Sequence, residues 1–202
     1  VVAVINVGVL AFQGSVVEHV HALTMIKDVR PYDVKTASDL EKVSGLILPG
    51  GESTTIGKLL KEYELLEPIK KRVKEGMPIW GTCAGMILIA KQIINENHLH
   101  LAIMDISVRR NAYGSQLDSF RTTACIPQIS KDEIPLIFIR APWVENVGQE
   151  VRILLKVTGK IVAVQQNNML ATSFHPELTQ NLAFHKYFME MVKNTSEIKR
   201  CI

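Results

Sequence analysis

Met77-Pro78-Ile79-Trp80-Gly81-Thr82-Cys83-Ala84-Gly85-Met86-Ile87-Leu88-Ile89-Ala90 runs from an apolar strand into a helix through a turn centred on a cysteine. Where a strand bends sharply into a helix, the residue at the bend takes a strained backbone, and glycines to either side (Gly81 and Gly85) permit close approach. The Cys83 side chain then stands above the sheet with its sulfur at the helix N-terminus, where unpaired N–H groups and the helix dipole favour a thiolate. That thiolate is a nucleophile, and the Ala84 N–H points to where an oxyanion would form. The plain alternative is a small buried hydrophobe, as most free cysteines are.

Outward from this bend, apolar strand-like runs occur at Ile5–Ala11, Tyr32–Thr36, Gly45–Leu48 and Pro78–Trp80, with helical periodicity between them. Strands alternating with helices predict an α/β three-layer sandwich whose mostly parallel central sheet is flanked by helices. Val16, Val20, Leu23 and Ile26 carry the first helical stripe, and Ser38-Asp39-Leu40-Glu41 reads as a capping box opening the second helix. The C-terminal half differs. Val151–Val157, Ile161–Gln165 and Met169–Phe174 are closely spaced runs joined at Thr158-Gly159-Lys160 and Asn167-Asn168, which predicts antiparallel hairpins. A closing helix after Thr179 places Phe184, Tyr187, Phe188 and Met191 on one face.

The 202 residues, 47% of them hydrophobic, suffice for one sizeable core, so residues 1–202 are expected to form a single domain. The net charge of +3 is scattered without a basic stripe, which argues against nucleic acid, and no stretch reaches the length of a membrane span. The basic run Lys70-Lys71-Arg72 with Lys74 reads as a solvated helix face. Three cysteines without metal-like spacing point to a reducing compartment, the cytoplasm by default. The chain opens on Val1 rather than methionine, which leaves room for missing residues before it.

Two further segments follow apolar runs, as ligand sites in open α/β sheets do. Ser173-Phe174-His175-Pro176-Glu177 offers an imidazole to take a proton from Cys83 and a carboxylate to fix the ring's tautomer. Pro176 keeps His175 extended, so His175 and Glu177 can face one side. Taken alone, it is equally a solvated turn before a helix. Leu48-Pro49-Gly50-Gly51-Glu52-Ser53-Thr54-Thr55 places two glycines where backbone N–H groups can face a ligand before Ser53 or Thr54 starts a helix.

Pro49-Gly50-Gly51-Glu52-Ser53-Thr54, the Cys83 bend and His175-Pro176-Glu177, in this order and at this length, resemble the class I (triad) glutamine amidotransferases. Within that group the resemblance is closest to the glutaminases of pyridoxal 5′-phosphate synthases. It is carried further by Leu10-Ala11-Phe12-Gln13-Gly14 with Glu18-His19, by Arg110-Asn111-Ala112-Tyr113-Gly114-Ser115-Gln116 with Asp118-Ser119-Phe120, and by Phe138-Ile139-Arg140-Ala141-Pro142.

The resemblance implies that Cys83 attacks the side-chain amide of L-glutamine, His175 serves as base and then acid, and Glu177 orients it. The N–H groups of Gly51 and Ala84 would form the oxyanion hole, with Glu52, Ser53, Arg110, Ile139 and Arg140 completing the glutamine pocket and Gln13 helping to set the hole. An arginine suits the α-carboxylate of a free amino acid and a glutamate its ammonium. Without the resemblance, Arg110 and Arg140 read as surface ion-pair residues. No cofactor or metal is implied. The implied partner is a (β/α)₈-barrel synthase subunit within a large hetero-oligomer, and the glutaminase is expected to be slow until that partner docks.

Phe12 departs from the smaller aliphatic residue usual before Gln-Gly, and Gln92–Leu101 is rich in Asn and His. His19 with His21, and His98 with His100, read as packed or solvated rather than metal-binding. The competing readings are the glutaminase of imidazole glycerol phosphate synthase, a cysteine hydrolase of another specificity, and a catalytically silent regulatory module.

Overall fold

The most apolar runs form the centre of a sheet. In the computed structural model, which describes residues 4–110 and 119–200, β3 (Gly45–Leu48) and β4 (Ile79–Thr82) are buried throughout. β1 (Ile5–Leu10) lies parallel to β3, and β2 (Val29–Val34) lies parallel outside β1 at the sheet edge. β2 starts before the expected Tyr32, because its Pro31 lacks an N–H and yet sits where only one neighbour must be served.

Side-chain alternation then sorts the core to two faces. Leu46 and Leu48 of β3 join Leu40, Ile56, Leu60 and Ile69, from helices α2 (Ala37–Glu41), α3 (Ser53–Glu62) and α4 (Leu66–Lys74). Ile47 and Trp80 join Leu23 of α1 (Val16–Thr24) and Phe184, Phe188 and Val192 of α6 (Ala183–Arg200). The sheet is thus sandwiched, as the alternating pattern predicts. The capping box that opens α2 is two residues earlier than expected: Thr36 accepts from the Asp39 N–H at 3.2 Å, and Asp39 accepts from the Thr36 N–H at 3.1 Å. Asp39 serves as well as Glu there because its shorter carboxylate still reaches back three residues.

The expected hairpins are present. β10 (Arg152–Val157), β11 (Lys160–Gln166) and β12 (Met169–Thr172) pair antiparallel in turn. β12 also pairs parallel to β4, aligning Thr172 with Thr82, so the hairpins extend the central sheet. The extension continues through β9 (Trp143–Val147) and β6 (Met104–Arg109) to β5 (Ala90–Ile93), which directly follows α5 (Ala84–Ile89). A separate antiparallel pair, β7 (Ser119–Ala124) and β8 (Ile134–Ile139), contributes Leu136 and Phe138 to the second face. β4 lies between β3 and β12, with Gly81 beside Leu48 and Thr82 beside Thr172, so the carboxyl ends of these three strands finish side by side.

Candidate active site

The bend after β4 is strained as its sequence predicts. Cys83 has φ 49° and ψ −105°, a conformation that costs a side-chain-bearing residue on the order of 1–3 kcal/mol. Its N–H is held by the Thr172 carbonyl at 2.8 Å. Gly85 packs α5 so tightly on β3 that an added Cβ would stand 2.1 Å from the Leu48 carbonyl oxygen. Gly50 plays the same part across the cleft, since a Cβ there would stand 2.4 Å from His175 Cε1 and 3.4 Å from Cys83 Cβ. Its missing side chain lets the ring and the cysteine approach each other.

His175 leaves β12 with its N–H bonded to the Ile137 carbonyl of β8 at 2.8 Å. Pro176 then opens a single 3-10 turn, Pro176–Leu178. This turn, rather than strand alternation, brings Glu177 back under the ring. Glu177 Oε1 lies 2.7 Å from His175 Nδ1 and accepts from Ser15 Oγ at 2.7 Å. Nδ1–H therefore donates to the carboxylate, leaving Nε2 free to exchange a proton with sulfur. Burial disfavours charge on the ring, yet hydrogen bonding to Cys83 and Glu177 outweighs it and raises the His175 pKa. Burial likewise works against the Glu177 carboxylate, but His19 and His175 beside it hold its pKa down, to about 2.

These groups open onto a cleft of about 530 Å³. Every expected site residue meets there: Gly51, Glu52, Ser53, Ala84, Arg110, Ile139 and Arg140 line it together with Cys83 and His175, with Glu177 behind the ring. The two expected substrate grips hold each other, as Arg110 donates to Glu52 at 3.0 Å and to Glu96 at 3.0 Å. Arg140, at φ 41°, lines the cleft with no ion-pair partner among the described residues. Gln13 Nε2 donates to the Glu52 carbonyl at 3.1 Å, and its side-chain amide lies against Gly51, which fits a role in shaping that turn. Ser53 Oγ is buried without a hydrogen-bond partner among the described residues.

Three participants carry no assigned role in the sequence reading. Ser15 follows Gln13-Gly14, Glu96 sits in the Asn- and His-rich stretch, and His19 reads from sequence as packed or solvated. His19 is fully buried whereas His21 is exposed, so the two do not converge. The Asn111-Ala112-Tyr113-Gly114-Ser115-Gln116 stretch and Asp118 lie outside the described residues.

A family model for the SNO glutamine amidotransferase family matches residues 9–194. The chain belongs to this family. The SNO match spans the Cys83 bend, the Gly50-Gly51 turn and the His175-Pro176-Glu177 segment. A relative from Thermoanaerobacter sp. (strain X514), the pyridoxal 5′-phosphate synthase subunit PdxT, is 58% identical over 186 residues, covering 92% of this chain and 98% of that protein. The PdxT subunit of Ruminiclostridium cellulolyticum is 54% identical over 187 residues, covering 93% and 99%. A crystal structure of a glutamine amidotransferase superposes on this SNO chain with a TM-score of 0.87 at 40% identity, over 93% of this chain and 98% of its own.

Proposed function

We propose that the protein is the glutaminase subunit of a pyridoxal 5′-phosphate synthase, hydrolysing L-glutamine to L-glutamate and ammonia and passing the ammonia to a synthase partner. The observation that carries this reading is a strained cysteine beside a ring whose far nitrogen is bonded to a buried carboxylate. That arrangement lies in a chain matched over nearly its whole length by PdxT subunits.

Cys83 attacks the side-chain amide carbon of glutamine, and the N–H groups of Gly51 and Ala84 receive the oxyanion. Arg140 and Arg110 receive the α-carboxylate and Glu52 the ammonium, with Ser53 and Ile139 completing the pocket. The tetrahedral intermediate collapses by breaking C–N, and His175 gives its Nε2 proton to the departing nitrogen, which leaves as ammonia. A water then attacks the γ-glutamyl thioester while His175 takes its proton, and C–S cleavage releases glutamate and restores Cys83. The residues alone perform each step, with no cofactor. Because free ammonia is largely protonated in neutral water, it passes by a shielded route to the (β/α)₈-barrel synthase in a hetero-oligomer. No helix among the described residues is long and apolar enough to cross a membrane. From the three cysteines without metal-like spacing, which suit a reducing compartment, we place the enzyme in the cytoplasm.

Glutamine hydrolysis measured with and without the synthase subunit tests this reading. Addition of the synthase is expected to raise the rate, and Cys83→Ala is expected to abolish it. Full activity in Cys83→Ala, or faster cleavage of γ-glutamyl peptides than of glutamine, would refute it.

A further inference from the structure

Behind the triad lies a buried cluster that the proposed reaction does not use. His19 of α1 places Nδ1 3.0 Å from Nε2 of His185 on α6. On its other side, Nε2 lies 3.2 Å from Thr82 Oγ1 at the end of β4 and 3.4 Å from Glu177 Oε2. Trp80 packs edge-on against both rings. Glu177 Oε2 and His185 Nδ1 are buried without a hydrogen-bond partner among the described residues.

These distances select one arrangement of protons. A neutral imidazole carries one N–H and one lone pair. With its proton on Nδ1, His19 would turn the Nε2 lone pair toward a carboxylate oxygen. His185 would then accept at Nε2, leaving its own Nδ1–H buried with nothing to bond. With the proton on Nε2, it lies between Thr82 Oγ1 and Glu177 Oε2, His19 Nδ1 accepts from His185 Nε2–H, and the atoms left without a full hydrogen bond, His185 Nδ1 and Glu177 Oε2, are acceptors alone. An orphaned buried N–H is the rarer fault. Burial also disfavours charge on both rings. It lowers the pKa of His19, against the pull of Glu177 and Glu18 and with the repulsion of His175, and lowers that of His185 to about 3.

We propose that His19 is a positioning residue for the triad: its Nε2–H, aligned by His185, faces Glu177 Oε2 and holds the carboxylate in the orientation that fixes the tautomer of His175. The 3.4 Å approach is off-line for a full hydrogen bond, so His19 acts as an oriented dipole on a charge in a buried site. Ser15 and His175 serve Oε1, and His19 serves the oxygen they leave. The activity readout of this inference rests on the glutaminase reading.

The test compares His19→Leu, which removes the donor, with His19→Gln, whose amide nitrogen falls near the position of Nε2. With the synthase present, His19→Leu is expected to lower kcat on the order of tenfold with KM for glutamine nearly unchanged, and to shift the acid limb of the pH–rate profile upward. His19→Gln is expected to recover most of the rate. Equal loss in both variants, a loss confined to KM, or an unmoved profile would overturn the inference. Nitrogen-15 histidine labelling of the unsubstituted protein gives a readout independent of variant folding and of activity. His19 should show a protonated Nε2 and a bare Nδ1 at neutral pH, and the opposite tautomer or a doubly protonated ring would overturn the inference. An unsubstituted enzyme that leaves glutamine intact would instead refute the proposed function, with the tautomer still decided by the spectrum.

Discussion

Glu177 carries a charge where burial works against it, and it does so because Ser15, His19 and His175 surround its two oxygens. Its folded-state pKa is lowered to about 2 from an ordinary 4.5. The unfolded chain therefore binds the proton first as pH falls, so the stability these contacts provide is complete above about pH 4.5 and is lost as pH falls through about 2. Urea unfolding of Glu177→Gln against the unsubstituted protein should show a difference that shrinks steadily from pH 5 toward pH 2. An unchanging difference would contradict it. In activity, Glu177→Gln should cost roughly 10²-fold in kcat, less than the roughly 10⁴-fold of a serine triad, because a thiol needs less help from its base. Cys83, His175 and Glu177 were legible in the sequence because each stands in a short motif after an apolar run. His19 was not: its partners Glu177 and His185 are over 150 positions away, and nothing local distinguishes a ligand of a carboxylate from a packed ring.

Among the elements, the one that decides the site is the β4–α5 bend, and its geometry depends on α5 lying hard against β3. Gly85→Ala would bring a Cβ to 2.1 Å from the Leu48 carbonyl, a backbone atom that cannot rotate aside. Relief requires α5 to lift, which should destabilise the fold by about 1–3 kcal/mol and move Cys83. Thermal unfolding and labelling of Cys83 by a glutamine-mimicking electrophile should both report it, whereas normal melting with normal labelling would show that the contact is dispensable. The strands of the parallel core were legible from their continuous apolar runs. The strands β5 to β9 were not, since β7 alternates exposed with half-buried positions and β6 and β8 bury only every other residue, with Asp105, Ser107 and Pro135 between. β5 pairs with β6 and β7 with β8 in chain order, while β9 reaches back to β6, and short alternating runs announce none of these pairings.

At the scale of the whole molecule, the sheet divides two apolar clusters that share no side chain. Ile56→Val on one face and Phe184→Leu on the other should each cost about 1 kcal/mol, and the double variant should equal their sum within about 0.5 kcal/mol in urea unfolding. A larger discrepancy would mean that strain crosses the sheet. Charge at the cleft is likewise assembled from distant parts: the start of α3, the loop after β5 and the residue after β6 meet as Glu52, Glu96 and Arg110. In the proposed reading, an arriving amino acid finds Arg110 and Glu52 already engaged with each other and Arg140 without an ion-pair partner among the described residues. It would enter by exchange at Arg110, its carboxylate displacing one anion from that guanidinium and its ammonium meeting the anion displaced, so that no unmatched ion would be created there on the way in. Affinity for this zwitterion should therefore vary little with ionic strength, while glutamate, leaving with an extra negative charge, should be held more weakly as the medium grows saltier.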